Sequence, residues 1–370
     1  MTQHVLLLGG LGRIGSSVAQ DLLAHTDATL TLAGRRSAAG VNLTHPRQQY
    51  LCLDVADGEG LRRAIAGCDL VIHTAGPFSY RGSQVLQTCL DLGVNYLDVA
   101  DHPPYVERAL ALSGQAAAAG VTAIVSTGVF PGISNSMARQ GIEALEQPEA
   151  IHLSYVVAGS GGAGMTVMRT TFLELQHPIA AWIEGRWQAI APYSQRQQVT
   201  FPAPYGDCAV YWFNTIEAMT LPRSFPVQTV TTKFGSLPDI YNHLTWLMAH
   251  AAPKGWLRQP KTIESLAQVS YRMTQVSDRF SGIGIAMRAD VQGQQGGAPT
   301  TVTSTFACPD TAYAAGAGAG SVAQLLLTGQ LHKPGVWPVE QAVTTPQFLS
   351  TLRQRELAIQ RRSPSANSWV

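Results

Sequence analysis

Three glycines near the start of the chain, Gly10, Gly12 and Gly15, form the pattern G-x-G-x-x-G. An apolar run at residues 5–8 precedes them, and a helical pattern with apolar side chains on one face begins at Ile14. Glycines at such a strand-to-helix junction are typical of a turn that holds a dinucleotide. The alternative is a Gly-rich turn that is merely flexible.

Each residue of this turn has a predicted role. Gly10 would permit the tight turn, Gly12 would let the backbone approach a pyrophosphate, and Gly15 would let the helix pack on the strand. The backbone N–H groups of the first helical turn, around Arg13 and Ile14, would then face the anion together with the positive end of the helix dipole. The pattern therefore predicts a pyrophosphate site here.

Short apolar runs alternate with helical patterns over the first third of the chain. Strands that are buried on both faces of a parallel sheet have this character. The six runs are residues 5–8, 30–33, 50–53, 70–73, 96–99 and 121–125. They predict an α/β fold in which a Rossmann, doubly wound parallel sheet carries helices on both sides.

The pattern changes after a turn-rich segment at residues 126–132. Residues 150–310 are less regular and contain runs that favour a mainly antiparallel sheet. Residues 311–327 form a small-residue helical pattern that could pack back on the first domain. We therefore predict a dinucleotide-binding domain at 1–132 with about 311–360, and a second, α+β domain for the substrate at 133–310.

Arg35 and Arg36 stand where the second strand should end, a position at which NAD enzymes commonly carry an acidic residue. A guanidinium can pair with a 2′-phosphate through two hydrogen bonds, whereas a carboxylate would repel it. These residues therefore predict NADP(H), unless both are ordinary surface charges. Asp54, after the third strand, could accept a hydrogen bond from the adenine amino group or cap a helix.

Ala75, Gly76 and Pro77 follow the fourth strand. Ligands of a doubly wound sheet bind beyond the carboxyl ends of its strands. We therefore expect this segment near the ribose and nicotinamide of the cofactor, although a plain turn would have a similar sequence.

The composition limits the partners of the chain. Apolar residues make up 45% and charged residues 13%, the net charge is +1, and basic blocks are absent, so nucleic acid and an anionic membrane are poor candidates. The five cysteines are widely spaced, and no metal-ligand pattern occurs in the sequence. We expect a cytoplasmic protein with a small-molecule substrate and no metal. No Y-x-x-x-K is present, which argues against the short-chain dehydrogenase mechanism.

Four segments of the first domain together resemble the saccharopine dehydrogenase-like reductases: GGLGRIG at 9–15, AGPF at 75–78, GVNYLDVAD at 93–101 and GVFPG at 128–132. PGVWPVE at 334–340 is similar to the closing loop of that family. Within the family, the chain length and the stretch at 212–222 look most similar to the carboxynorspermidine dehydrogenase branch and its carboxyaminopropylagmatine-forming relatives.

The resemblance implies a homodimer and a reductive amination of the kind found in polyamine or amino-acid metabolism. An amine and an aldehyde or oxo acid would form an imine, and NADPH would reduce it to a CH–NH bond. Such chemistry needs proximity and one group that moves a proton. Asp98 and Asp101, near the end of the fifth strand, and Tyr80 are the candidates, with helix capping (Asp101) and a surface tyrosine as alternatives.

Candidate substrate ligands lie in the second domain. Arg169 could pair with a carboxylate, and Glu174 or Glu217 could meet a cationic amine. An ordinary solvated helix face is the alternative for each. Two other functions stay open: a reductase of a C=C or C=O bond in a hydrophobic substrate, and an NADP-binding regulatory protein without catalysis.

Overall fold

The computed structural model describes residues 2–160, 165–253, 255–256 and 259–362. The chain forms two compact units: unit 1 comprises Met1–Ile133 with Ala312–Glu356, and unit 2 comprises Ser134–Thr311 with Leu357–Val370. The boundaries lie beside those predicted at 132 and 311, but the last segment leaves unit 1 at residue 356 rather than about 360. None of the helices in the described ranges is long and apolar enough to cross a membrane.

Unit 1 begins with strands and helices in alternation. Its strands are fully buried where helices cover both faces, as in the fourth and sixth. The elements are β1 (His4–Leu8), α1 (Arg13–His25), β2 (Thr29–Gly34), β3 (Gln48–Cys52), α2 (Gly58–Ile65), β4 (Leu70–His73), a 3₁₀ turn (Phe78–Tyr80), α3 (Gln84–Leu92), β5 (Asn95–Asp98), α4 (Pro103–Leu110), α5 (Ser113–Ala118) and β6 (Thr122–Val125).

Unit 2 combines long strands with five helices among its described residues. The elements are α6 (Ile133–Ile142), β7 (Gln147–Ala158), α7 (Met165–Glu174), β8 (Ile179–Ile183), β9 (Arg186–Ile190), β10 (Gln197–Phe201), β11 (Gly206–Trp212), α8 (Ile216–Ser224), β12 (Thr229–Leu237), α9 (Ile240–Ala251), α10 (Pro260–Ser281), β13 (Ile285–Gln295) and β14 (Ala298–Cys308).

The chain then returns to unit 1 before its last strand. The elements are α11 (Thr311–Leu327), β15 (Gly335–Pro338), α12 (Val339–Ala342), α13 (Thr345–Gln354) and β16 (Gln360–Arg362). Because β16 pairs with β14, residues after 356 belong to unit 2.

The sheet of unit 1 has seven strands in the order β15-β6-β5-β4-β1-β2-β3, and every pairing is parallel. Successive strands run outward from β1 in both directions, so the switch point lies between β1 and β4. The predicted Rossmann sheet is confirmed. The seventh strand, β15, corrects the expectation that residues 334–340 form only a loop.

The sheet of unit 2 is mixed, in the order β10-β11-β12-β7-β13-β14-β16. The pair β12 and β7 is parallel, and the pairings on either side are antiparallel. This confirms the predicted second domain with a mainly antiparallel sheet. Helices α7 and α10 bring Phe172 and Ile263 onto a core that also contains Tyr193, Tyr211 and Phe213.

Glycines of α11 allow it to approach α1 closely. A Cβ at Gly316 would overlap Ser17, and one at Gly320 would overlap the carboxylate of Asp21. Asp21 in turn forms a buried bidentate ion pair with Arg355, with Nε–Oδ2 and Nη2–Oδ1 distances of 2.7 and 2.6 Å. These contacts explain why residues 312–356 belong to unit 1 despite their distance along the chain.

Candidate cofactor-binding site

The turn after β1 is built on Gly9. Its φ is +80°, its N–H donates to the carbonyl of Ala33 at 2.8 Å, and a Cβ there would lie 2.9 Å from the backbone of Ala75. Gly10, by contrast, packs against Leu32, where a Cβ would lie 2.9 Å from the side chain. The structure therefore moves the tight-turn role from Gly10 to Gly9, and Gly10 is needed for close packing on β2.

Gly12 and Gly15 shape the start of α1. Gly12 is the N-cap residue, has no side-chain cap and is exposed; the nearest atom to a Cβ there would be the carbonyl oxygen of Gly9, at 3.1 Å. Gly15 is buried, and a Cβ there would overlap that same oxygen and lie 2.8 Å from Oγ1 of Thr74. Gly12 thus leaves room for a ligand, and Gly15 permits the helix to sit on the turn.

The first turn of α1 suits an anion. Arg13 is its first residue and is exposed, Ile14 is half-buried, and the turn contains no acidic residue. The helix dipole and the N-terminal N–H groups favour negative charge at this end. The uncapped Gly12 and the cradle between this turn and the β4 loop fit a dinucleotide pyrophosphate.

The arginines predicted to read a 2′-phosphate follow β2 directly. Arg35 and Arg36 are both exposed. The hydroxyl of Tyr50, on the neighbouring strand β3, lies 3.0 Å from the carbonyl of Gly34 and 2.8 Å from that of Arg36. Tyr50 therefore fixes the backbone that carries both guanidinium groups. Sequence reasoning missed it, since only the pairing of β2 with β3 brings it there.

Asp54 is exposed beyond β3 and accepts a hydrogen bond from the N–H of Ala56 at 3.0 Å. It does not cap α2, because Asp57 does so by accepting from the N–H of Gly60 at 3.0 Å. The alternative of helix capping therefore applies to Asp57. Contact between Asp54 and an adenine stays a prediction.

The loop after β4 lies against the glycine turn. Thr74 Oγ1 donates to the carbonyl of Leu8 at 2.8 Å, and the backbone of Ala75 touches Gly9. Gly76 and Pro77 continue this loop and are half-buried. The structure thus places all three predicted residues of this loop at the same sheet edge as the glycines.

His73, the last residue of β4, supports this loop through a hydrogen bond to Ala75. It is fully buried, and its Nδ1 accepts from the N–H of Ala75 at 3.2 Å. Its Nε2 has no hydrogen-bond partner among the described residues. Burial, with a smaller effect of the Arg81 charge, lowers the pKa of His73 to about 3, so the ring is neutral. An otherwise apolar strand that ends in histidine was the signal available in the sequence.

The structure corrects the catalytic prediction for Asp98. Its side chain is fully buried; Oδ1 accepts from the N–H groups of Ala100 and Ser126 at 3.0 and 2.8 Å, and Oδ2 accepts from the Tyr96 hydroxyl at 3.0 Å. The Tyr96 and Tyr105 hydroxyls lie 2.8 Å apart. Burial raises the pKa of Asp98 to about 6 despite these bonds. Asp98 therefore ties the ends of β5 and β6 together inside the unit.

The other two catalytic candidates are accessible to different degrees. Asp101 follows β5 by three residues and is half-buried, and its charge contributes to the raised pKa of Asp98. Tyr80 ends the 3₁₀ turn that continues the β4 loop, and 65% of its side chain is exposed. Their catalytic roles stay predictions.

Two predicted substrate ligands in unit 2 are engaged within that unit. Arg169 forms a bidentate pair with Glu264 of α10, with Nε–Oε2 and Nη2–Oε1 distances of 2.6 and 2.8 Å. Glu174 accepts from the side-chain amide of Asn214 at 2.6 Å. These contacts hold α7 against its neighbours, which is a structural role.

Glu217 is fully buried in α8 and accepts a hydrogen bond from the hydroxyl of Ser134. Its contact joins α8 to α6 inside unit 2, and a role toward substrate stays a prediction. The sequence before α7 is rich in glycine at residues 159–166, of which residues 161–164 lie outside the described residues.

Two relatives of established name align with this chain. Carboxyaminopropylagmatine dehydrogenase of Synechocystis sp. is 26% identical over 265 residues, which cover 66% of this chain and 65% of the relative. Carboxynorspermidine synthase of Vibrio cholerae is 24% identical over 315 residues, which cover 77% of this chain and 75% of the relative. The chain thus matches just under two thirds of the first relative and three quarters of the second.

The fold is also that of a solved enzyme structure. Apo saccharopine dehydrogenase (L-Glu forming) from Saccharomyces cerevisiae superposes with a TM-score of 0.70 at 15% identity, covering 98% of this chain and 99% of that one. At this identity the likeness concerns the fold alone. Residues 5–124 match the family "Saccharopine dehydrogenase NADP binding domain". This segment, with its glycine turn, arginine pair and β4 loop, belongs to the saccharopine dehydrogenase NADP-binding domain family.

Proposed function

We propose that this protein is an NADP(H)-dependent oxidoreductase that joins an amine to an aldehyde or oxo acid by reducing their imine, giving a carboxynorspermidine-type or opine-type product. One observation supports this more than any other. The alignments with the two relatives run over 265 and 315 residues, whereas the cofactor-domain family matches only residues 5–124. The similarity to enzymes with these names therefore extends into unit 2.

The cofactor side of the proposal depends on charge. Arg35 and Arg36 follow β2 where an NAD enzyme commonly has a carboxylate, and both are exposed. A 2′-phosphate would gain charge-assisted hydrogen bonds there, and α1 would hold the pyrophosphate at the uncapped Gly12. Bound NADPH would supply a hydride.

The chemical step requires few catalytic groups from the protein. Amine and carbonyl lose water to form a protonated imine, the hydride adds to its carbon, and a secondary amine results. The protein must exclude water and move a proton between solvent and the reacting nitrogen or oxygen. Tyr80 and Asp101 lie in the segments after β4 and β5, at the carboxyl edge of the sheet, and we propose them for this proton transfer.

An NADPH oxidation assay tests the proposal. Pooled di- and polyamines or amino acids are combined with pooled semialdehydes or oxo acids, and the product is identified by mass spectrometry. We expect turnover only when both partners are present, with a product mass equal to amine plus carbonyl, minus water, plus two hydrogens. Tyr80→Phe should lower kcat more than it changes KM. Reduction of a carbonyl or enoyl compound alone, with no activity on any pair, would contradict the proposal.

A further inference from the structure

A polar groove of about 410 Å³ lies in unit 2, on the sheet face opposite the one that α7 and α10 cover. Strands β12, β7 and β13 form its floor, and β10 and β11 form one side. Its charged and aromatic lining consists of His152, Trp212, Lys233, Arg288 and Asp290. We call this cavity the basic groove.

The register of the sheet brings these side chains to one face. Lys233 is level with residue 154 and so with Arg288, while residue 231 is level with His152 and Asp290. Residues two apart on a strand point to the same side of the sheet. The polar lining therefore follows from the alternation of side chains along three neighbouring strands. A ligand in the groove would contact this polar sheet face and the aromatic side chain of Trp212.

Lys233 is the unusual member of the basic groove. Only 8% of it is exposed, yet no carboxylate in the described part of the chain lies within 4.0 Å of its Nζ. Nζ donates to the carbonyl of Gln195 at 3.1 Å and lies 5.9 Å from the ring centroid of Trp212. Burial lowers the pKa of Lys233. A buried ammonium with one neutral acceptor is costly unless a ligand compensates for it.

The charges of Arg288 and Asp290, which also line the basic groove, neutralise each other. Arg288 Nε lies 2.8 Å from Oδ2 of Asp290, and Arg288 also donates to the carbonyl of Thr200 at 3.1 Å. His152 Nδ1 lies 2.9 Å from the hydroxyl of Thr231. With Arg288 and Asp290 paired, the basic groove keeps one surplus positive charge, on Lys233.

We propose that the basic groove binds the carboxylate of a small polar acid, of the amino-acid or oxo-acid class, on Lys233. A single surplus charge matches a monoanionic carboxylate, whereas a doubly charged phosphate would leave a negative charge without compensation. Side chains of Gln195, Gln197 and Gln292 line the same cavity and provide amide groups for the rest of the acid. This binding is independent of whether the protein reduces imines.

Calorimetric titration of the full chain, saturated with NADP⁺ in a carboxylate-free buffer, tests the site. The probes are L-glutamate and pyruvate, with inorganic phosphate as the competing anion. We expect at least one acid to bind, and Lys233→Gln to weaken it roughly 10–100-fold, because one charge-assisted hydrogen bond is lost. Lys261→Gln, an exposed lysine of the same unit, should change nothing.

A second variant keeps the test sound if Lys233→Gln fails to fold. Gln195→Glu is isosteric, retains the acceptor that Trp212 Nε1 uses at 2.8 Å, and adds a negative charge to the lining of the basic groove. It should therefore weaken acid binding at least about tenfold while leaving the thermal unfolding temperature unchanged or higher. Three results would overturn the proposal: neither acid binds at about 10 mM, binding is equal in both variants and the native protein, or phosphate binds more tightly than both acids in a manner that needs Lys233.

Discussion

His73 and Asp98 are level with each other on the neighbouring parallel strands β4 and β5, and both are fully buried. Burial shifts their pKa values in opposite directions, to about 3 for the imidazole and about 6 for the carboxyl, and in both cases it favours the neutral form. Their other contacts differ: His73 supports the β4 loop at Ala75, and Asp98 fastens the ends of β5 and β6. Two buried residues beneath the proposed cofactor site therefore have structural roles.

Asp98→Asn should stabilise the protein above pH 6. The folded-state pKa of about 6 exceeds the ordinary value of 3.8, so the folded state holds its proton more tightly and the Asp98 contribution to stability falls as pH rises from 3.8 to 6. Asparagine keeps an acceptor for the N–H groups of Ala100 and Ser126 without the charge. We expect a free energy of unfolding higher by about 1–2 kcal/mol at neutral pH, measured by urea denaturation.

The control is Asp27→Asn, an exposed carboxyl of the same unit, which should change stability by less than about 0.5 kcal/mol. The difference between Asp98→Asn and the native protein should shrink as pH falls below 6. A variant less stable than the native protein at neutral pH, with the same dependence on pH, would show that the carboxylate is needed charged.

His73→Asn should remove a source of acid instability. The folded-state pKa of about 3 lies below the ordinary 6.5, so the stability that the neutral ring contributes is present above pH 6.5 and is lost as pH falls toward 3. Asparagine does not titrate there and retains an acceptor for the N–H of Ala75. We expect lower stability at neutral pH, by about 1–3 kcal/mol for the lost packing, but a smaller loss on acidification.

The measurement is again denaturant unfolding, at a series of pH values from neutral to about 4. His332→Asn, at an exposed position of unit 1, serves as the control and should follow the native profile. If His73→Asn and the native protein lose stability in parallel on acidification, His73 is not the group responsible.

Gly15→Ala and Gly12→Ala should separate folding from cofactor binding. The Cβ of Gly15→Ala overlaps the Gly9 carbonyl, so we expect a loss of about 2–3 kcal/mol in stability. At Gly12 the nearest atom is 3.1 Å away, so stability should change by less than about 1 kcal/mol. NADPH affinity, measured by fluorescence titration, should nevertheless fall at least about tenfold, because the new methyl group keeps the pyrophosphate from the backbone.

Gly114→Ala is the matched control, since its Cβ meets no atom within 4 Å and it lies inside α5. It should leave NADPH affinity unchanged and raise stability by about 0.5–1 kcal/mol. Undiminished affinity in Gly12→Ala would remove the glycine turn from the cofactor site.

The sequence predicts the parts of this fold whose signals are local. The six apolar runs and Gly12 and Gly15 define the sheet and the helix start without reference to distant residues. Strand β15 could not be predicted in the same way, because its sequence, GVWP, begins with glycine and ends with proline, and it is a strand only through its pairing with β6. Gly9 could not be distinguished from Gly10, since the positive φ of one and the packing of the other depend on Ala75 and Leu32.

Several predicted site residues have partners inside the fold that the sequence does not reveal, and the reason is the same for each. A carboxylate at the carboxyl end of a strand, such as Asp98, can point toward a ligand or back into the core, and only the positions of Tyr96 and Ser126 decide between these. For Arg169 and Glu217 the partners lie 95 and 83 residues away along the chain. Charged residues of a helix therefore indicate a contact, but the sequence does not identify the partner.

Arg35→Asp should exchange the cofactor preference. The loop that carries Arg35 is fixed at the backbone by Tyr50, so the substitution changes the charge at the end of β2 and leaves the loop in place. A carboxylate would repel the 2′-phosphate and could accept hydrogen bonds from the ribose hydroxyls of NADH. We expect NADPH affinity to fall roughly 10–100-fold and NADH affinity to stay equal or increase.

The control, Arg63→Asp, makes the same charge change at an exposed position of α2 and should shift neither affinity by more than about twofold. Both affinities are measured by fluorescence titration at two ionic strengths, because added salt should weaken a direct contact with the phosphate less than it weakens long-range attraction. Equal affinity of the native protein for the two cofactors, unaltered by Arg35→Asp, would leave the choice of NADP(H) without support from this residue.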